Sequence, residues 1–424
     1  MDTRIKDLVD FTKDQWGLTK YYLGRHRLFR RLMLDGETMY LLNMEWFPNK
    51  YADWTDEEEN PAGTASIDIN IHTKEFDSAI FVQGLTYAEN GVVFPNKEVN
   101  EVKSWLHDFT GLNIDKDYVC KKRDERELYF EEQWNGIPFS PSSSINVEFN
   151  ENGKLTFYSK NTSVLTNKKD LGEEYTLSLA DIEEIAREQV VVAKFPEEDG
   201  MIIVYGVEET YIRNNRKRTI PFMQENGAFR KNVNKIIKWD EGRKDIFERE
   251  YLQWENEVSI EQAYSMEPHP DSLPITDVEE ESAIQTVKEF LQMKYPNDSG
   301  KWTLTYLYRE HTYLHAHLEH ITAQAHFPEK VIVFLNAEGK VVNYMDKKEL
   351  WDKIMDVKEE EPIEIQVTKE EAFDKLKPYF TLTPYYVYDS EDKKWVLSGK
   401  LDCDYFVDVK SGEITKLNGS FFIN

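Results

Sequence analysis

The histidine-rich segment HTYLHAHLEH (His311 to His320) is the part of the sequence best suited to metal chemistry. Five of the nine histidines in the chain lie between residues 311 and 326: His311, His315, His317, His320 and His326. Within the segment, apolar residues alternate with His315, His317 and Glu319, and this period of two is typical of a β-strand. Two imidazoles and one carboxylate on a single face of a strand could hold Zn²⁺ or another divalent cation. One hypothesis is therefore a metal-dependent hydrolase that uses these three residues.

The surrounding pattern favours a different interpretation of the same residues. The helical HExxH arrangement of many zinc hydrolases is absent. Polar side chains that alternate with apolar ones are also what a half-buried strand presents to solvent or to a partner. We therefore predict that the chain has no catalytic, cofactor-binding or metal-binding residues and needs no cofactor.

Other enzyme signatures are also missing from the sequence. There is no phosphate-binding glycine loop, no GxSxG motif and no dinucleotide fingerprint. Neither Cys120 nor Cys403 has a nearby histidine in a nucleophile motif. These observations predict a protein that is not an enzyme.

A basic segment, YIRNNRKRTIPF (residues 211–222), stands out in this acidic chain. Asn214-Asn215 is typical of a tight turn, which would place Arg213, Arg216, Lys217 and Arg218 around a hairpin tip. Such a tip is usually solvated, although it could dock an acidic partner.

Charge and composition limit the classes of partner and the cellular compartment. The chain has 79 acidic and 52 basic residues, a net charge of −27, which repels nucleic acids and anionic lipids. No apolar run reaches the roughly 18 residues of a membrane helix, so we expect no membrane insertion. Residues 1–18 resemble a charged amphipathic helix rather than a signal peptide, and two distant cysteines do not form a disulfide framework. We therefore expect a cytoplasmic protein with two buried free thiols.

A β-hairpin pattern recurs along the chain. INVEFNENGKLTFY (145–158) and VIVFLNAEGKVVNY (331–344) align without a gap, and we predict that Gly153 and Gly339 adopt a positive φ at equivalent turns. DYFVDVKSGEI (404–414) is similar, and its Val407 and Val409 should lie in a core. SIDINIHTKEFDSAI (66–80) has Lys74 in place of the glycine, which predicts another turn type. TIPFMQENGAF (219–229) is a weaker copy, in which Pro221 favours an edge strand.

Each hairpin follows a predicted amphipathic helix. Before the last hairpin, Thr368 and Glu371 have capping-box spacing, and similar starts occur at Ser178 and Thr276. The first two helices both end in Gly-Leu, at Gly17 and Gly111, which is typical of a left-handed C-terminal cap. One or two further strands separate each helix from its hairpin.

These patterns predict an α+β protein made of tandem two-layer modules, each a helix packed on an antiparallel sheet. The predicted units are 3–88, 95–162, a weaker 175–240, 275–346 and 366–420. A helical and Pro-rich linker, 241–274, separates the third unit from the fourth, and a helix-like stretch containing Phe247, Tyr251 and Trp254 falls within it.

The last unit resembles a PepSY domain. VTKEEAFDKL is followed by WVLSGKLDCDYFVDVKSGEI, in which Asp408 and Gly412 occupy the Asp-x-x-x-Gly positions of that family. The upstream units are similar to the related YcdB/YcdC-type repeats of Gram-positive bacteria. The resemblance implies a PepSY/cystatin-like fold that binds or restrains a protein partner, often a peptidase, in proteins that are usually exported.

The leading functional hypothesis is a non-enzymatic binding or regulatory protein, such as a peptidase modulator or a chaperone-like module. Its partner would be a protein or an extended peptide that adds to a sheet edge and places side chains in aromatic pockets. The alternatives are the metal-dependent hydrolase and a structural scaffold in sporulation or envelope assembly.

Overall fold

The chain folds into a mixed α/β structure that consists mostly of antiparallel sheet with a few helices. The computed structural model describes residues 1–54, 59–162, 164–165, 168, 171–197, 200–216, 218–222, 230–243, 245–253, 257–321, 329–350 and 364–417. None of the helices in these ranges is both long and apolar enough to cross a membrane.

The helices are few and mostly short. Within the described residues, the α-helices with defined bounds are α1 (Thr3–Gln15), α2 (Val99–Thr110), α3 (Ile114–Asp117), α4 (Glu183–Glu188), α5 (Ile260–Tyr264), α6 (Asp277–Lys294) and α7 (Lys369–Leu376), and residues 347–350 are also helical.

The strands are β1 (Tyr21–Leu32), β2 (Thr38–Pro48), β3 (Ala65–Asn70), β4 (Phe76–Phe81), β5 (Tyr118–Arg123), β6 (Glu127–Trp134), β7 (Ile137–Ser140), β8 (Ser144–Phe149), β9 (Leu155–Asn161), β10 (Val190–Glu197), β11 (Gly200–Val207), β12 (Thr210–Arg213), β13 (Thr219–Pro221), β14 (Lys231–Ile237), β15 (Trp302–Glu310), β16 (Tyr313–His320), β17 (Lys330–Leu335), β18 (Val341–Asp346), β19 (Thr381–Asp389), β20 (Lys394–Asp402), β21 (Tyr405–Asp408) and β22 (Ile414–Lys416).

These elements divide into two compact units that do not follow simple sequence order. The first unit contains residues 1–171, 256–269 and 386–395. The second contains residues 172–255, 270–385 and 396–424. The division into five sequence units stays a prediction.

The first unit is built on a sheet with two similar halves. Its antiparallel strand order is β1-β2-β3-β4-β9-β8-β6-β5, and β4 pairs with β9 through Ser78 and Ser159 at its centre. The half that contains β1–β4 follows α1, and the half that contains β5, β6, β8 and β9 follows α2 and α3. Strand β7 also pairs with β6, and the end of β19 runs parallel to β7.

One face of this sheet and the two helices share a single apolar core. Leu8 of α1 and Leu106 of α2 are buried in it together with Ile67 and Val147 of the sheet. Helix α5 packs on the same unit, where the Ala263 carbonyl lies 3.1 Å from Nε2 of His72. Apolar burial of this kind is the main stabilising contribution to such a layer.

The second unit contains a five-stranded sheet in the order β14-β15-β16-β17-β18. Helix α6 covers one face and buries Val287, Phe290 and Leu291 against it. The Thr276 side chain and the Glu279 side chain form a capping box at the start of α6, where the sequence predicted that a helix begins.

A second core of this unit joins distant parts of the chain. Strands β10, β11, β21 and β22 form one sheet, in which Tyr205 pairs with Val407. Val407 and Val409 are buried, as predicted, together with Ala186 of α4 and Phe373 of α7. The third and fifth predicted units thus contribute to one core. In a separate ladder, β12 pairs with β13 and β20, and β13 with Pro221 lies at the edge as predicted.

Four hairpins share one turn design. The first residue is Asn70, Asn150, Asn336 or Asp408, and its side-chain oxygen accepts backbone N–H hydrogen bonds from the turn. Lys74, Gly153, Gly339 and Gly412 donate their backbone N–H to the carbonyl of that first residue, and all four have positive φ. The predicted conformations of Gly153 and Gly339 are confirmed. The Lys74 turn is one residue longer than the Gly153 turn, but Lys74 is left-handed, like the glycines.

Some local expectations need correction. Cys120 is only partly buried, whereas Cys403 is buried, and both thiols are free. Residues 245–253 are not helical, because the Glu250 N–H donates to the Val342 carbonyl instead of bonding within its own segment. The turn predicted at Asn226-Gly227 and the residue Trp254 lie outside the described residues.

Replacing the two turn glycines by alanine should destabilise the protein unequally. Gly339→Ala should lower the free energy of unfolding by about 1 kcal/mol, since a Cβ disfavours positive φ. Gly153→Ala should cost more, because the added Cβ would lie 2.2 Å from the Phe94 carbonyl oxygen, whereas at Gly339 the nearest atom is Ser282 Oγ at 3.2 Å. Urea denaturation of both variants measures the difference, and equal losses would contradict the prediction.

Candidate binding cleft

The structure places His315, His317 and Glu319 on one face of β16, as predicted, opposite the buried Leu314, Ala316 and Leu318. Each of the three has its own neighbour. The His317 ring stacks on Tyr306 with 4.3 Å between centroids, and Glu319 Oε1 lies 3.2 Å from Lys330 Nζ.

His315 is the most enclosed of these side chains. It is 2% exposed, and its ring lies 4.5 Å from the Tyr308 ring and 4.6 Å from the Phe334 ring. Nδ1 is 2.8 Å from the Tyr308 hydroxyl. Burial lowers the pKa of His315 to about 4, so the imidazole is neutral at neutral pH.

Among the described residues, the other histidines of the segment do not complete a ligand set. His311 lies in a turn with φ 51°, and the His320 ring packs 4.8 Å from the Trp302 ring. His326 lies outside the described residues. In the part of the chain that the structure describes, no group of three or more His, Cys, Asp or Glu side chains could hold a metal ion.

The basic segment forms the predicted hairpin between β12 and β13. Arg216 at its turn has φ 59° and pairs with Asp181 at 2.9 Å. Asn214 is buried, and its Nδ2 donates to Glu173 and to the Glu174 carbonyl. This hairpin tip is therefore held by its own unit, and Lys217 lies outside the described residues.

A cleft in the first unit was not predicted from the sequence. It opens between α1 and α2 above β4 and β9, and it has a volume of about 310 Å³. Its lining residues come from both helices, both central strands and the β3–β4 turn: Phe11, Gln15, Lys74, Glu75, Phe76, Trp105, Asp108, Phe109, Thr110, Tyr158 and Lys160. Small-molecule and side-chain pockets in proteins start at roughly this size, about 300 Å³.

The aromatic side chains of the cleft form a continuous stack. Phe11 stacks on Phe76 and Phe76 on Phe109, each with 5.6 Å between centroids, and Phe109 stacks on Trp105 at 4.8 Å. Tyr158 meets Phe109 edge-on at 5.4 Å. Such packing holds the rings rigidly, so a bound apolar side chain would meet a preformed surface.

Charged groups at the edge of the cleft have both signs. Lys160 Nζ pairs with Glu75 Oε2 at 2.9 Å, and the Lys160 side chain is only 16% exposed. Lys74 and Asp108 are exposed. Burial raises the pKa of Tyr158, whose hydroxyl therefore stays protonated. The arrangement offers apolar contact and ion pairing and has no activated nucleophile.

Sequence reasoning missed the cleft because its residues come from four separate segments. One signal was present: Trp105 and Phe109 are four residues apart, so they share a face of α2. Taken alone, that spacing is equally typical of core residues.

Comparisons with known proteins leave the family open. The sequence matches no protein-family model, and it matches no curated protein. The solved structure of the Bacillus megaterium YpeB C-terminal domain is weakly similar, with a TM-score of 0.26 and 11% identity over 48% of this chain and 85% of that one. A likeness at this level carries no argument about function.

The buried His315 should make stability depend on pH. Its folded pKa of about 4 lies below the ordinary value of 6.5, so the unfolded state binds more protons between these values and stability falls as pH falls through 6.5. From pH 7 to pH 5 this should cost about 2 kcal/mol.

Urea denaturation at both pH values tests this contribution in the wild type and in His315→Gln. The variant should lose less stability than the wild type on acidification, whatever its absolute stability. His26→Gln is the matched control, because His26 is exposed, and it should behave like the wild type. Equal pH dependence in all three proteins would contradict the prediction.

Proposed function

We propose that this chain is a non-enzymatic binding protein that takes a segment of a protein partner into the cleft between α1 and α2. The observation that carries the proposal is the stack Phe11–Phe76–Phe109–Trp105, which lies beside an open volume of about 310 Å³. Aromatic groups that border an open cleft are characteristic of sites that bind apolar side chains.

The proposal includes a modular architecture of tandem PepSY-like units, each a helix on an antiparallel sheet. Two observations support it: the two helix-preceded halves of the first sheet, and the turn design shared by Asn70, Asn150, Asn336 and Asp408. In such an architecture, the units differ in which part of the sheet surface their helices leave uncovered. The resemblance to PepSY domains suggests a peptidase as the partner and regulation of that peptidase as the role.

The edge of the cleft favours a protein segment over a simple apolar ligand. The Lys160 side chain is largely shielded from solvent although its partner Glu75 is exposed, and Lys74 and Asp108 offer one exposed charge of each sign. A peptide can satisfy both signs with its own side chains while its apolar residues meet the rings.

Panning of a random-peptide phage library on the full chain tests the proposal. Enriched peptides should contain apolar or aromatic residues, and Asp108→Trp should weaken their binding at least tenfold by filling the cleft. Asn100→Trp is the matched control, since Asn100 is exposed on the same helix and does not line the cleft. It should bind like the wild type.

Two results would contradict the proposal. One is the absence of any enriched peptide. The other is equal binding to the Asp108→Trp and Asn100→Trp variants, which would place the peptide elsewhere on the protein.

A further inference from the structure

The segment that links the two halves of the first sheet lies across the end of one helix and the tip of one hairpin. The Glu89 N–H donates to the Gly17 carbonyl at 2.9 Å, at the C-terminal end of α1. The Phe94 N–H donates to the Gly153 carbonyl at 2.7 Å, at the turn between β8 and β9. The Leu155 N–H donates to the Val92 carbonyl at 3.0 Å. Residues 88–94 therefore bind this surface mainly through their backbone.

Close contact accompanies these hydrogen bonds. A Cβ placed on Gly17 would lie 2.0 Å from the Glu89 carbonyl oxygen, and one on Gly153 would lie 2.2 Å from the Phe94 carbonyl oxygen. Phe94 is 2% exposed and packs edge-on against Trp105 and Phe149, both at 5.7 Å. Beside Val92 and Val93, the space that remains open is about 130 Å³.

The other half of the sheet presents the corresponding groups. Gly111 ends α2 in the left-handed conformation, as Gly17 follows α1, and Lys74 is the left-handed residue of the β3–β4 turn, as Gly153 is in the β8–β9 turn. Phe76 begins β4, as Leu155 begins β9. Lys74 and Phe76 line the 310 Å³ cleft, and the cleft extends to Thr110, directly before Gly111.

No linker covers this second surface within the described residues. A Cβ on Gly111 would meet no atom within 4 Å. Among the residues that the structure describes, none donates a hydrogen bond to the carbonyl of Gly111 or to that of Lys74. Helix α5 contacts the same hairpin at His72, away from the residues that line the cleft.

We propose that the cleft binds an extended peptide segment of a partner protein in the backbone geometry of residues 88–94, an inference that rests on the proposed binding function. The peptide donates one N–H to the Gly111 carbonyl and another, five residues later, to the Lys74 carbonyl. Between them it runs antiparallel to the start of β4, as Val93 does beside Lys154. A small apolar side chain at the position of Val92, which packs against the core in the linker, faces the stacked rings, whereas the position of the exposed Val93 faces away from them.

The linker itself supplies the probe for this geometry. A fluorescein-labelled peptide with the sequence TYAENGVVFP, residues 86–95, is titrated with the full chain, and binding is followed by fluorescence anisotropy. We expect saturable binding. A peptide with Val92 replaced by Asp should bind at least tenfold more weakly, because the charge would have to be buried against the rings, whereas Asp in place of the exposed Val93 should have little effect.

Variants of the chain distinguish binding in the cleft from binding at the surface that residues 88–94 already cover. Gln15→Trp, which fills the cleft from α1, should weaken binding at least tenfold, whereas the adjacent Asp14→Trp, exposed and outside the lining, should not. Equal binding by both variants would mean that the peptide displaces the linker from its own site, and this would overturn the inference.

The phage-selected peptides distinguish failure of the inference from failure of the proposed function. If they bind the cleft but the residue 86–95 peptide neither binds nor competes, the inference is wrong and the binding function stands. If neither kind of peptide binds, both are wrong. Competition between the two kinds supports both.

Discussion

The antiparallel pairing of β4 with β9 is the contact on which the first unit depends. It comprises only three residue pairs, Ser78–Ser159, Ala79–Tyr158 and Ile80–Phe157. This pairing turns two four-stranded halves into one sheet and brings the two helices onto one shared face. It also brings Phe76 near Tyr158, whose hydroxyl lies 3.5 Å from the Phe76 carbonyl. The cleft exists because two strand ends meet there and two helices stop short of closing over them.

Local elements were predictable from the sequence wherever short-range physics decides them. The capping boxes at Thr276 and Thr368 depend on residues three apart, and the turns at Gly153 and Gly339 depend on one left-handed residue. The alternation that predicted β16 follows from its apolar face, which consists of Leu314, Ala316 and Leu318. In each case the interaction energy is set within a few residues, so the pattern and the structure agree.

Long-range pairing was beyond what the sequence could indicate. Nothing in the pattern of β11 or β21 reveals that Tyr205 pairs with Val407, because any half-apolar strand edge can accept another. The cleft could not be predicted for the same reason, because it depends on long-range strand pairing. Its rings occur at positions 11, 76, 105 and 109, and each was consistent with an ordinary core residue until the sheet order placed them together. Lys74 shows that local sequence can also mislead. Its N–H donates to the Asn70 carbonyl, and the lysine adopts a left-handed conformation that is usually found at glycine.

The core that joins residues 177–212 to residues 365–414 has a consequence for how the protein is made. During synthesis, α4, β10 and β11 leave the ribosome long before α7 and β21 exist, so their apolar faces lack their native cover until those later elements are made. The first unit is also incomplete until residues 386–395 have been synthesised, because these residues are part of it. Contacts of such long sequence separation close slowly. A chain truncated before residue 365 would therefore expose apolar surface in the second unit and become a substrate for chaperones and proteases, even though most of its residues were intact.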